Sequence, residues 1–379
     1  MEIWALNLRH LRAVAEIGHL GSVSAAADAV SLTQPAITQG LAKLETLIGE
    51  PLFERHSEGM APTPAAKLII PRIDAALRLI ASPRVTMAQV RALTAFAASG
   101  SYAGASVKTG LSQPSLHRAV GDLSIALKRQ LVERRGKGLT LTEAGRRTVR
   151  AFRLARAELE AGLSEIAALN GAESGRIAIG AMPLSRARLL PKAVAAFHRL
   201  HPQVEIVIVE GSHAELVEPL RDGELDLMIG ALREGGEAPD LMQQPLFDDR
   251  PVIIARKGHP LTCPGIADLA RYPWIIAAPG TPLRAQWHKM FSDAGLAPPH
   301  VPIECGSVIA IRQILMETDF LTLLSPDQVA VELEAGWLTK LCDAPEGLLR
   351  TIGVTTRGGW RPTALQQVFL ETLQSVVER

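Results

Sequence analysis

Two short runs carry hydrogen-bonding side chains at a spacing that could read the edges of base pairs. The first is Thr33-Gln34-Pro35-Ala36-Ile37-Thr38-Gln39 and the second Ser112-Gln113-Pro114-Ser115-Leu116-His117-Arg118. Glutamine can pair bidentately with adenine, arginine with guanine, and a hydroxyl with either. Thr33 and Ser112 suit helix N-caps, and Pro35 and Pro114 suit a first turn, where no intrahelical hydrogen bond is lost. Base readout is therefore expected from Gln34, Pro35, Thr38 and Gln39, and again from Gln113, Ser115, His117 and Arg118.

The chemistry of an enzyme is missing. The chain has no GxGxxG, Walker, SxxK or GxSxG run. His198 and His201 could suggest a metal pair, but Pro202 follows at once, and that spacing at a helix end reads as a surface coincidence. Cys263, Cys305 and Cys342 form no CxxC pair and are too few for a disulfide framework. No catalytic residue, metal ligand or cofactor is expected.

The elements that must hold the two runs repeat. Residues 11–66 laid over residues 90–145, an offset of 79, give 15 identities in 56 positions. They include Gly21/Gly100, Ser22/Ser101, Ala26/Ala105, Gln34/Gln113, Pro35/Pro114, Glu54/Glu133, Arg55/Arg134 and Gly59/Gly138. Two copies of one module is the economical explanation. Each reads as three helices and a hairpin. Leu8, Leu11, Val14, Ala15 and Ile17 share a face of the first helix, which Gly21 ends. The second helix is alanine-rich, and its small residues let the third cross closely. The third turns Ile37, Leu41 and Leu44 inward, or Leu116, Val120 and Leu123. Helix, tight turn and capped helix is the pattern whose last helix enters the DNA major groove. Residues 52–63 and 131–142 would form a short β-hairpin wing.

Residues 8–63 resemble the N-terminal winged helix-turn-helix of LysR-type transcriptional regulators. Ser22, Ala25, Ala26, Leu32, the run Thr33 to Ala36, Leu44-Glu45, Gly49, Pro51 to Arg55 and Gly59 carry the likeness. The second copy is similar through Leu111 to Ser115, Leu131, Glu133-Arg134 and Leu139 to Gly145. The resemblance implies DNA contacts from Ser22, Thr33, Arg55, Ser101, Ser112, Pro114, Arg134, Arg135 and Lys137 besides the readout residues. Family members usually carry one such domain, so the second copy is a departure.

From Glu143 to about Asn170 the chain is rich in Ala, Arg, Glu and Leu. Phe152, Ala155, Leu159, Gly162, Ile166 and Leu169 fall on the 3-4 spacing of a packed helix pair. The resemblance implies that Phe152, Ala155, Leu159 and Ile166 meet a second subunit, giving a homodimer or homotetramer. The matching helix after the first copy is expected to break at Pro71 and stop at Ser82-Pro83, leaving it a poorer dimeriser.

Beyond Gly175 strands and helices alternate in two sets, 176–229 and 274–335, which predicts two lobes with parallel sheets. Arg176-Ile177, Leu190-Pro191, Phe197, Glu210-Gly211, the run Gly223 to Leu227, His259-Pro260-Leu261 and Leu324-Ser325-Pro326 again resemble the family. The fold expected is thus multidomain: two tandem all-α winged helix-turn-helix modules, a linker helix, and an α/β two-lobed domain like periplasmic binding proteins. The boundaries are 1–82, 83–145, 146–172 and 173–379, with lobe one at 173–255 and 341–379 and lobe two at 256–340. The chain would cross between lobes near Ala255 and near residues 338–341. Ligands in open α/β sheets sit beyond strand C-terminal ends, where helix N-termini favour an anion. The effector contacts expected there are Pro183, Leu184, Ser185, Gly230, Leu232, Gly280, Thr281 and Ser307. Each hydroxyl has an alternative reading as a plain N-cap, and Arg186, Arg188 and Arg284 as solvated residues.

Charge divides the chain. Residues 1–150 hold 19 Lys+Arg against 11 Asp+Glu, and the rest 21 against 28, summing to the net +1. A basic front joined to an acidic back suggests a nucleic-acid partner for the front alone. The longest uncharged stretch, residues 92–107, is sixteen residues with Gly and Ser inside it, short of the roughly 20 apolar residues a spanning helix needs. No basic run precedes it at the N-terminus, so a cytoplasmic protein is expected. The reading is a regulator binding double-stranded DNA and a small carboxylate or sugar-like effector, with RNA polymerase a further partner, likened to activators of catabolic operons. The alternative is a solute-binding or adaptor protein in which one module is a degenerate interaction domain.

Overall fold

The computed structural model describes residues 3–57, 59–136, 138–172, 175–233, 239–262 and 264–378. Two compact units are present, Met1–Gly175 with Asp222–Glu224, and Arg176–Arg221 with Leu225–Arg379.

The first unit runs through the same element order twice. A short turn, Ile3–Ala5, precedes α1 (Leu8–Leu20), α2 (Val23–Ala29), α3 (Gln34–Ile48), β1 (Phe53–His56), β2 (Gly59–Pro62) and α4 (Pro64–Ile80). Then come α5 (Met87–Ser99), α6 (Tyr102–Thr109), α7 (Gln113–Leu127), β3 (Val132–Arg135), β4 (Gly138–Leu141) and α8 (Glu143–Leu169). Each module closes on itself in the same way. Asn7 caps α1 and Gly21, in the left-handed region, ends it. Ala26 and Ala105 are fully buried, which lets α3 and α7 cross α2 and α6 closely. Thr63 and Thr142 cap α4 and α8 while their N–H groups bond Leu52 and Leu131. The hairpins are antiparallel, with Arg55 opposite Met60 and Arg134 opposite Leu139.

The modules share a core: one apolar cluster runs from Ile3 to Ile166. Its spine is α4 packed along α8. The structure corrects two expectations here. Pro71 does not break α4, which continues for 17 residues. The missing hydrogen bond and ring clash cost about 3 kcal/mol; the burial of Ile69, Ile70, Ile73, Ala76 and Ile80 on the same helix opposes that cost. Phe152, Ala155, Leu159 and Ile166 are at most 3% exposed within a single chain, so α4 already covers the face assigned to a second subunit. Leu169 lies outside the seam and is 51% exposed.

In the second unit, β5 (Arg176–Ala181), α9 (Leu189–Leu200), β6 (Glu205–Glu210), α10 (His213–Arg221), β7 (Leu227–Ala231) and β8 (Leu241–Asp249) come first. They are followed by β9 (Val252–Arg256), α11 (Ile266–Leu269), β10 (Trp274–Ile276), α12 (Pro282–Asp293), β11 (Ile303–Glu304), α13 (Val308–Glu317) and β12 (Leu321–Leu324). The chain ends with α14 (Ala330–Glu334), β13 (Leu338–Asp343), β14 (Arg350–Arg357) and α15 (Ala364–Val377). Two five-stranded sheets result, in the orders β6-β5-β7-β14-β8 and β11-β10-β12-β9-β13. They are mixed rather than parallel. β5, β6 and β7 pair in parallel, as do β10, β11 and β12, while β14 and β8, or β9 and β13, add antiparallel strands. The added strands adjoin the crossings between sheets. Those crossings lie at 250–251 and 344–349, not at Ala255 and 338–341, because β9 already belongs to the second sheet and β13 runs on to Asp343.

Candidate functional site

The expected readout residues sit at the open ends of α3 and α7. Thr33 Oγ1 accepts from the Ala36 N–H at 3.4 Å, and Ser112 Oγ from the Ser115 N–H at 3.3 Å. Capping fixes the first turns, and the buried rows Ile37, Gly40, Leu41, Leu44 and Leu116, Val120, Leu123 fix the rotation of each helix. Gln34, Pro35, Thr38 and Gln39 therefore face outward, as do Gln113, Pro114, Ser115, His117 and Arg118. Gln34, Pro35, Ala36, Thr38, Gln39 and Ala42 line one open groove, and Tyr102, Ser106, Ser112, Gln113, Pro114 and His117 another.

The local chemistry refines the expected roles. Ser22 and Ser101 are engaged as N-caps of α2 and α6, accepting from the Ala25 and Gly104 N–H groups at 3.4 and 3.1 Å. Ser115 Oγ lies 2.8 Å from Ser112 Oγ, so its hydroxyl has a local partner before any base arrives. The His117 ring stands edge-on to Tyr102 at 5.3 Å, and Tyr102 packs on Phe96 at 4.7 Å. Burial raises the Tyr102 pKa above its ordinary value, keeping the phenol neutral. Sequence reasoning missed Tyr102; its signal was an aromatic at the N-terminus of the second helix, where the first module has Val23. In the wings Arg55, Arg134 and Arg135 are exposed. Lys137 lies outside the described residues.

The effector residues are placed less uniformly. Pro183, Leu184 and Ser185 form a 3-10 turn after β5. Ser185 is fully buried and its Oγ donates to the Met182 carbonyl at 2.9 Å, so that hydroxyl is not offered to a ligand. Gly230 lies in β7, where an added Cβ would come within 2.5 Å of the Met182 side chain. Leu232 is half-buried, and its N–H bonds the Thr351 carbonyl. Gly280 (φ +81) turns the chain into α12, which Thr281 caps by accepting from the Arg284 N–H at 3.3 Å. Ser307 is exposed and caps α13. The N-cap reading thus describes Thr281 and Ser307 as they stand. Arg186 bonds the Ala181 and Gly211 carbonyls, and Arg284 lies over the Trp287 ring and pairs with Glu304. Arg188 pairs with Glu334, joining residues beside the two sheets.

A polar lock unforeseen from sequence holds the crossings. Asp249, 5% exposed at the end of β8, accepts from Arg350 Nε at 2.7 Å and from Ser325 Oγ at 2.6 Å. Arg250 Nε donates to the Ala344 carbonyl at 2.7 Å, tying the first crossing to the second. Among the described residues no group of three or more His, Cys, Asp or Glu side chains could hold a metal ion. Among them, too, no helix is long and apolar enough to cross a membrane.

Comparison with known proteins agrees with this division. The profile described as bacterial regulatory helix-turn-helix protein, lysR family, matches residues 8–67 and 87–146, and that of the LysR substrate binding domain matches residues 170–378. The chain is 32% identical over 98% of its length to the HTH-type transcriptional regulator GalR of Pseudomonas putida, covering 97% of that protein. It is 32% identical over 72% of its length to an SDS degradation transcriptional activation protein of a Pseudomonas species, covering 90% of it. The solved structure of CbnR, a LysR family transcriptional regulator, matches with a TM-score of 0.55 at 19% identity, covering 77% of this chain and 99% of that one.

Proposed function

This chain belongs to the LysR family of transcriptional regulators, and from that premise we propose that its two N-terminal modules are tandem winged helix-turn-helix domains that both bind promoter DNA. The family is one of regulators, not enzymes. The observation that carries the proposal is the pair of capped, outward-facing Gln-Pro turns, Gln34-Pro35 and Gln113-Pro114, each backed by a buried apolar row. Ser22, Thr33, Ser101 and Ser112 act by holding helix ends in place, while Arg55, Arg134, Arg135 and Lys137 meet phosphates. A small carboxylate or sugar-like effector binds the α/β unit near Thr281 and Ser307. Its differential affinity for two arrangements of the sheets alters how the chain engages DNA and RNA polymerase, with activation of a catabolic operon as the output. The chain acts in the cytoplasm, where its DNA is.

Gel shift of the full chain against DNA flanking its own gene tests the first part. A retarded band that specific competitor removes, and that Gln34→Ala or Gln113→Ala redirects to other sequences, is the expected result. Equal loss on random DNA would mark these side chains as phosphate contacts instead. Calorimetry of the full chain with small carboxylates and sugars tests the second part, and the absence of saturable binding to any of them would remove the effector.

A further inference from the structure

The two packed helices α4 and α8 bury equivalent positions of the repeat. Shifting by 79 residues carries Ala66 onto Gly145, Ile69 onto Thr148, Ile70 onto Val149, Ile73 onto Phe152, Ala76 onto Ala155 and Ile80 onto Leu159. Every one of these residues is buried. The helices run in opposite directions. α4 begins at the first wing and leads into the second module, whereas α8 begins at the second wing and ends with Asn170 Nδ2 bonded to Glu50 Oε1 beside the first. Two equivalent helices, antiparallel and packed through equivalent faces, are related by a local two-fold rotation. That is the geometry of an isologous interface, here closed within one chain.

The seam is also specified by charge. Arg72, 4% exposed, pairs with Glu158 at 3.2 Å and Glu165 at 2.6 Å. Burial opposes the guanidinium charge, but the bonds and charges of Glu165 and Glu158 outweigh it, and the Arg72 pKa is raised. Gly162 leaves room for this arrangement, since a Cβ there would meet Arg72 and Ile69 at 3.1–3.2 Å. The equivalent of Arg72 is Ala151, so the ion pairs break the symmetry and fix which helix takes which side. The N-terminal turn adds a second tie, with Trp4 lying within 5.9 Å of Arg91 and 5.7 Å of Arg156.

Resting on the DNA-binding reading above, we infer that one chain supplies both reading helices of an operator element, as a built-in pseudo-dimer. The element is bipartite, with one half read by Gln34, Thr38 and Gln39 and an unlike half read by Gln113, His117 and Arg118. Self-association of the chain then uses surfaces other than the α4 and α8 seam faces.

The test starts with selection of duplexes from a random pool by the full chain, followed by counting chains on a short duplex carrying one selected element. One chain per element, with two dissimilar halves, is the expected result. Gln34→Ala should relax base preference about tenfold in one half and Gln113→Ala in the other; both side chains are exposed and outside the core. An inverted repeat of identical halves holding two chains per element would overturn the pseudo-dimer while leaving DNA binding intact, as would both variants relaxing the same half. Failure to enrich any sequence would overturn DNA reading itself and this inference with it.

Discussion

In the first module the outward face of α3 carries Gln34, Thr38 and Gln39, and the described part of its wing the single arginine Arg55; in the second, His117 and Arg118 join Gln113 on α7, and the wing carries Arg134 and Arg135. Residues 8–66 hold four Lys+Arg against six acids, while residues 87–145 hold eight against three. The same scaffold therefore presents uncharged hydrogen-bonding groups in one place and positive charge in the other. Phosphate attraction is indifferent to sequence, whereas neutral amides discriminate bases without adding long-range pull. The difference teaches that affinity and selectivity can be assigned to different copies, provided both are held on one rigid seam.

That proviso gives the largest expected effect. Arg72→Met leaves Glu158 and Glu165 close together without their cation, and breaking a buried pair costs about 3–5 kcal/mol. The urea midpoint of the full chain should drop accordingly, and Arg72→Met combined with Glu158→Leu and Glu165→Leu should recover most of it. If Arg72→Met alone leaves the midpoint in place, the seam does not depend on charge.

The division of labour predicts the next effect. Replacing Arg134, Arg135 and Lys137 with Ala should reduce the salt slope of DNA binding by about 2–3, at roughly 0.9 for each phosphate left without its cation. Replacing Arg55 and Lys43 should change it by no more than about 1. Equal changes would abolish the contrast between modules. If deleting residues 1–82 left affinity and footprint intact, the first module would be a degenerate duplicate.

These contrasts were legible in the sequence to different depths. The repeat and the Thr-Gln-Pro and Ser-Gln-Pro caps follow from local rules of capping and periodicity, and α3 and α7 begin where those rules put them. The seam was legible as a 3-4 apolar stripe, but a stripe states only that something covers it. Whether the cover comes from another chain or from α4 depends on the fold of residues 64–80, where Pro71 hid a 17-residue helix. β8 was hidden in a similar way. Pro245 argues against a strand, and the sheet tolerates it because β8 is an edge strand whose register shifts at the pairing with Gly353. The Asp249–Arg350 pair spans 101 residues and has no local signature.

A smaller effect concerns turns that require a left-handed residue. Between the second and third helices the first module has Ser31 (φ 54) where the second has Gly110 (φ 71). At the ends of α3 and α7 the order is reversed, with Gly49 (φ 84) in the first and Lys128 (φ 53) in the second. Left-handed backbone costs a side chain roughly 1–2 kcal/mol, and glycine returns part of that as unfolded-chain entropy. Ser31→Gly and Lys128→Gly should each stabilise by roughly 0.5–1 kcal/mol in thermal unfolding. Gly49→Ala and Gly110→Ala should each destabilise, since a Cβ at either meets nothing within 4 Å and only the backbone objects.

The smallest effect separates the modules by pH. His10 of α1 packs against Gly40 of α3, where an added Cβ would lie 2.9 Å from the ring. Burial first, and the nearby Lys43 charge second, lower the His10 pKa below 6.5. The folded state then favours the neutral ring, while the unfolded chain takes up a proton near 6.5. Stability from this site is present above pH 6.5 and is lost as pH falls below it, through the lowered folded value. The second module has Gln89 at the equivalent position, engaged with Thr86 in a capping box and without a charge to gain. Acidification from about pH 7.5 to 5.5 should therefore reduce hydrogen-exchange protection of α3 relative to α7, after correction for intrinsic exchange rates. His10→Gln should abolish the difference. If α3 and α7 lose protection together in the unsubstituted chain and His10→Gln abolishes the loss in both, the shared core spreads the effect of His10 over both modules, and acid would weaken DNA binding without changing which half of the element is read.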